Sequence, residues 1–133
     1  ELLWMYRLNE DRRATASPRP LSGRGVAYWT DGSAMEKQTR ARGEQIEQAL
    51  ISVTEENLAD VKEYRGRGLV WGLEFKDKAR AGRVARRAFE LGLLVETSGP
   101  ESEVVKLLPA LTVTPDELDE GLRTLARAVA ETA

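Results

Sequence analysis

The sequence predicts an α+β domain: a short, mainly antiparallel sheet of about three strands, with helices packed on one side. Three observations carry that expectation. Two long segments, opening at Ser33 and at Thr114, hold apolar residues at helical spacing behind capping signals. Between them, Leu69–Phe75 is rich in aliphatic and aromatic residues with a two-residue period, as in a half-buried strand. The stretch Val61–Leu111 then runs strand, helix, glycine turn, strand, proline, with no internal repeat.

Residues 1–27 stand apart. Ser17-Pro18-Arg19-Pro20 and Ser22-Gly23-Arg24-Gly25 break any sustained period, so this stretch reads as loop or disorder. Within it only Leu2–Leu8, where Leu3, Trp4 and Leu8 share a side, suggests a short element. The organised domain spans 28–133. In its first helix Ser33 takes the cap position and Glu36 can bond back to the Ser33 amide, which is the capping-box pattern. Met35, Thr39, Arg42, Ile46, Leu50 and Val53 follow as a thin stripe, Gly43 is a mild weakness, and a turn near Thr54–Asn57 closes the helix.

Arg65-Gly66-Arg67-Gly68 reads as a turn leading into Leu69–Phe75, whose Leu69, Trp71, Leu73 and Phe75 share a face. Gly68 and Gly72 suggest a bulge or the close approach of another backbone. Asp77 caps a second helix running to Leu91 that buries Val84, Ala85, Ala88 and Phe89; Gly92 suits the left-handed residue that ends it. Leu93–Glu96 and Val104–Leu107 read as strands joined by the loop Thr97–Glu101. The last helix begins at Thr114 as cap, with Pro115 in the first helical position and Glu117 completing a capping box. Leu118, Leu122, Leu125 and Val129 form its stripe.

Composition excludes several chemistries. The chain has 133 residues, enough for one domain with a modest core. Its 20 basic and 22 acidic residues are interspersed, leaving net charge −2 and no basic field to hold nucleic acid. Cysteine and histidine are both absent, which removes disulfides, Cys-His and Ser-His-Asp mechanisms and the commonest zinc ligands. No apolar run reaches the roughly 18–20 residues of a membrane span, and the start does not read as a signal peptide. A cytoplasmic protein with no membrane and no nucleic-acid partner is the expectation.

Four places invite a chemical reading. Arg65-Gly66-Arg67-Gly68 could meet a phosphate, but it lacks both Walker and GxGxxG spacing and reads as a structural turn. Glu96, Glu101 and Glu103 read as a solvated loop, with no metal site expected. Thr97, Ser98 and Gly99, in the loop Thr97–Glu101, either line a site or make an ordinary turn. Lys106 is a lone charge in the apolar run Val104-Val105-Lys106-Leu107-Leu108-Pro109. Either its stem packs and its head reaches solvent, or its ammonium meets an anion.

From Tyr28 to its end, about four-fifths of its length, the chain resembles the small C-terminal domain of class III pyridoxal-phosphate aminotransferases, which are fold-type I enzymes. The residues that carry this are Tyr28-Trp29-Thr30-Asp31-Gly32, Arg65-Gly66-Arg67-Gly68-Leu69, Gly72-Leu73, Gly92-Leu93 and Lys106-Leu107-Leu108-Pro109. The run Glu96-Thr97-Ser98-Gly99-Pro100-Glu101, continuing into Val104-Val105-Lys106, looks particular to the branch that passes an amino group from glutamate to aspartate semialdehyde in ectoine synthesis. By that resemblance Lys106 stands where the family usually places an arginine for a substrate carboxylate, keeping the charge without the bidentate fork. In such enzymes a large domain binds pyridoxal 5'-phosphate through another lysine, which is not recognisable in this sequence; nor does 1–27 resemble what normally precedes Tyr28. The resemblance therefore implies amino-acid substrates for the full enzyme, and a fragment that binds no cofactor and is inactive alone. The alternative is a non-catalytic interaction or dimerisation module, homo-oligomeric or seated on a missing large domain, with Leu69, Trp71 and Phe89 as its apolar patch.

Overall fold

The computed structural model describes residues 33–133, without the side chain of Ser33, so the expectations for residues 1–27 and for the capping bond of the Ser33 side chain fall outside what is described. The elements run α1 (Ser33–Glu56), β1 (Val61–Arg67), β2 (Val70–Phe75), α2 (Lys78–Glu90), β3 (Glu96–Ser98), β4 (Val104–Leu107) and α3 (Pro115–Ala130). The strands form one antiparallel sheet in the order β1-β2-β4-β3. α1 and α2 lie against the face that carries Trp71, Leu73, Phe75, Val105 and Leu107, and α3 packs against both helices on that side. Ile46, Leu50, Val84, Leu125 and Val129 complete the core from the helical side.

The sheet has four strands, one more than the sequence predicts. The unexpected strand is β1, which takes in residues that read as a turn. Its inward positions hold only Val61, Tyr64 and Gly66, too few apolar residues to show a period. Gly66 is needed there because the Trp71 indole lies where a Cβ would stand, 2.4 Å from a ring carbon. The true turn is Gly68-Leu69, a two-residue hairpin loop with Gly68 at φ +58°. Trp71 Nε1 donates to the Gly68 carbonyl at 2.7 Å and fixes the loop against the sheet.

Other boundaries shift for local reasons. β3 begins at Glu96, where Leu93–Glu96 was expected, because the Leu93 amide is drawn back to the Ala88 carbonyl and the chain pairs with β4 only afterwards. Thr97 and Ser98, expected in a loop, are therefore strand residues. Phe89 is 68% exposed, against the expectation of burial. The buried stripe of α2 is Arg80, Ala81, Val84 and Ala88, which turns Phe89 about 100° away from the sheet. Met35 is also exposed. The expected caps are present: Asp77 accepts from the Ala79 amide, and Thr114 and Glu117 form the reciprocal capping box.

Two contacts lock the helices in place. Gly43, far from being a weakness, lets α1 approach the hairpin loop: a Cβ there would stand 2.8 Å from the Gly68 carbonyl oxygen. Arg80 is 2% exposed. Its guanidinium pairs with Asp60 at 2.5 Å, donates to the Val129 carbonyl at 3.2 Å, and lies 5.4 Å from the centre of the Phe75 ring. It thus ties α2 to the turn before β1 and to the end of α3.

Gly43→Ala is expected to lower stability by about 1–2 kcal/mol, overpacking outweighing the better helix propensity of alanine. Gly82→Ala, where nothing lies within 4 Å of the added carbon, should raise it by about 0.5–1 kcal/mol. Thermal melts with shifts of the same sign would contradict the contact. Asp60→Ala strands the buried Arg80 charge and should cost about 3 kcal/mol, more than Arg80→Met, which removes that charge and keeps the packing. Urea unfolding of the two variants checks the order.

Candidate functional site

The face of the sheet turned away from the helices is charged, and its residues follow from register. Glu63 faces Glu74 across β1 and β2, Arg65 faces Gly72, Gly72 faces Lys106, and Lys106 faces Glu96. The register shift between Val61 and Glu63 brings Lys62 onto the same side. Two carboxylates opposite one another repel, and the sequence answers with two cations. Lys62 Nζ reaches Glu74 Oε1 at 2.5 Å and Arg65 reaches Glu74 Oε2 at 3.0 Å while also pairing with Glu63. Glu74 is itself buried. The Lys62 ammonium, followed by Arg65, holds its carboxyl below the usual range against the opposing effect of burial.

Lys106 lies at the far side of this face. Its Nζ is 2.7 Å from Glu96 Oε2, and that hydrogen bond lowers the Glu96 pKa. Gly72, its other cross-strand neighbour, has no side chain of its own, and the Val104 side chain lies 2.9 Å from where a Cβ would stand. Both Lys106 and Glu96 also line a cavity of about 500 Å³ between the β3–β4 end of the sheet and α3. Its walls are apolar, with Leu93, Leu94, Leu108 and Pro109 near the mouth and Leu122 and Leu125 within. Leu94, Leu108 and the nearby Leu111 are exposed.

Of the residues singled out in the sequence, Lys106 sits on this cavity. Thr97 faces the core side opposite Val105, Ser98 shares the Lys106 face, and Gly99 ends the strand at φ +94°. A Cβ on Gly99 would meet the Glu103 carboxylate, which itself accepts from the Glu101 amide and closes the loop. Leu69 and Trp71 are buried, so of the apolar patch expected from the sequence only Phe89 is exposed. Sequence reasoning did not single out Glu74 or the Lys106–Glu96 pair. The pair was within reach only once β3 and β4 were aligned.

Pyridoxal phosphate is held in the aminotransferases that the sequence resembles by a lysine, beside a carboxylate for the ring nitrogen. Four of the five lysines among the described residues are engaged by partners. Lys62 is tied to Glu74, Lys76 donates to the Leu58 and Ala59 carbonyls, Lys78 pairs with Glu101, Lys106 pairs with Glu96, and Lys37 lies exposed on α1.

A four-stranded antiparallel sheet with three helices on one side is the architecture of the small α+β domain of fold-type I aminotransferases. The chain belongs to the class-III aminotransferase family, whose profile matches residues 29–129. It is 89% identical over 106 residues to the diaminobutyrate–2-oxoglutarate transaminase of Streptomyces avermitilis, covering 80% of this chain and 25% of that protein. The Nocardia farcinica enzyme of the same name is 51% identical over 102 residues, or 77% of this chain and 23% of that protein. The chain thus spans about a quarter of the length of these relatives. Among solved structures, N-acetylornithine aminotransferase from Stenotrophomonas maltophilia superposes with a TM-score of 0.66 at 29% identity, covering 74% of this chain and 27% of that one. Lysine aminotransferase from M. tuberculosis gives a TM-score of 0.70 at 20% identity, with 77% and 23% covered, a likeness of fold.

A carboxyl held below its ordinary range stabilises the fold above that range, and the stabilisation is lost as pH falls through its folded pKa. Glu74 is in that position. Stability should therefore decline as pH drops from about 5 to about 3, and Glu74→Gln should flatten part of the decline while lowering stability at neutral pH. Urea midpoints at several pH values measure this; an unchanged slope in the variant would remove Glu74 from the account.

Proposed function

We propose that this chain supplies the small domain of a diaminobutyrate–2-oxoglutarate transaminase. The complete enzyme moves an amino group from glutamate to aspartate semialdehyde, giving 2,4-diaminobutyrate and 2-oxoglutarate, a step of ectoine synthesis. The observation that carries this reading is Lys106, set at the edge of an apolar cavity between the β3–β4 end of the sheet and α3. Identity to the Streptomyces relatives supports the choice of branch.

In this reading the domain is half of a substrate site. The Lys106 ammonium binds a substrate carboxylate, the cavity walls exclude water beside it, and strand β4 holds the lysine stem in a fixed position. Lysine does this as a point charge, without the paired geometry of arginine. Pyridoxal phosphate supplies the electron withdrawal that transamination needs, and its attachment lysine belongs to the remainder of the longer enzyme. The chain alone does not turn over substrate.

The test is a chimera in which residues 29–133 replace the matched quarter of the Streptomyces avermitilis transaminase. Turnover close to the parent is expected, and a folded chimera that takes up cofactor but transfers no amino group would sink the reading. Lys106→Gln in that chimera should raise KM roughly tenfold to a hundredfold, the worth of a charge-assisted hydrogen bond, with a smaller effect on kcat. Lys106→Arg should recover most of it.

A further inference from the structure

Lys106 does not face the cavity alone. Glu96 stands directly across the β3–β4 ladder with its carboxylate 2.7 Å from the ammonium, and the two line the same wall. Glu117, the remaining charged residue there, is engaged with the Thr114 amide and hydroxyl. Glu74, further along the bare face, is held by Lys62 and Arg65. The charged groups open to a ligand at this cavity are thus one cation and one anion in contact.

We infer that Lys106 and Glu96 together form a receptor for the α-amino-acid end of a small molecule, Lys106 taking the carboxylate and Glu96 the neighbouring ammonium. This deepens the proposed function and rests on it for the identity of the ligand. A carboxylate arriving alone must part Lys106 from Glu96 and then sits beside a like charge. An amine arriving alone meets the same obstacle from Lys106. A molecule with both charges on adjacent atoms replaces each half of the ion pair by an equivalent partner, so nothing is left unpaired. The apolar wall of the cavity suits a short hydrocarbon stem.

The chemistry of the proposed reaction gives this receptor a use. In aspartate semialdehyde and 2,4-diaminobutyrate the reacting carbon is C4, while the carboxylate at C1 and the ammonium at C2 pass through unchanged. The ion pair recognises the end that does not react, and so sets which end of the molecule meets the cofactor. Glu96 is then a specificity-determining residue of the same site.

The experiment is a titration of the full 133-residue chain, followed by NMR at Lys106 and Glu96, with three probes of similar size. These are L-2-aminobutyrate, butyrate and 2-aminobutane, which carry both charges, the carboxylate alone and the ammonium alone. The chain should bind L-2-aminobutyrate about tenfold more tightly than either single-charge probe, a difference of about 1.4 kcal/mol. Glu96→Gln should abolish that preference while butyrate binding persists or strengthens. Equal affinity for butyrate and L-2-aminobutyrate, a preference that survives Glu96→Gln, or no response at Lys106 overturns the inference. Turnover by the chimera is read independently, so a failed receptor and a failed transaminase assignment give different results.

Discussion

The register of β2 against β4 is the constraint on which the rest of the domain depends. Trp71 opposite Leu107 and Leu73 opposite Val105 turn one face of the sheet toward the helices. The same pairing necessarily sends Gly72, Glu74, Val104 and Lys106 to the other. A slip by one residue would exchange these sets, placing a carboxylate and an ammonium in the core and a tryptophan in solvent. Burial of Trp71, Leu73 and Phe75 against Leu50, Val84 and Leu125 therefore fixes where the charges stand. The candidate site is a product of core packing: nothing at Lys106 itself holds the lysine in position as strongly as the hydrophobic face beneath it.

Charge is treated differently at three depths. Arg80 is within the core and needs Asp60, the Val129 carbonyl and the Phe75 ring to stay there. Glu74 is buried against the bare face and is neutralised by two cations from β1. Lys106 and Glu96 lie at the edge, where water still competes with their pairing. The deeper pairs are structural because separating them leaves an unpaired charge where water cannot reach. The shallow pair can exchange partners at small cost, which is what a binding site requires.

Much of the fold was legible because local signals agreed with one another. The α3 capping box, the Asp77 cap and the alternation of Leu69–Phe75 each state an element in the residues that form it. β1 was hidden because its inward face is built from a tyrosine and a glycine, with Trp71 of the next strand filling the space above Gly66. That information is carried by the partner strand. Gly43 misled for the same reason: its propensity is local, while its use, the passage of the Gly68 carbonyl, lies 25 residues away in sequence. The lone charge of Lys106 marked it from sequence. Its partner Glu96 required knowing that β3 begins three residues later than the apolar run Leu93–Val95 suggests.

The strand at the outer edge of the described sheet, β1, carries Lys62, Glu63, Arg65 and Arg67 and is bent by a register shift near its start. An edge strand offers unpaired amides and carbonyls to any extended chain that comes near it. Here an incoming strand would have to set its own side chains against three cations and a carboxylate, on a backbone that is not straight. At the opposite edge, β3 is three residues long and leads directly into Gly99. Edges of this kind disfavour growth of the described sheet by addition of further strands.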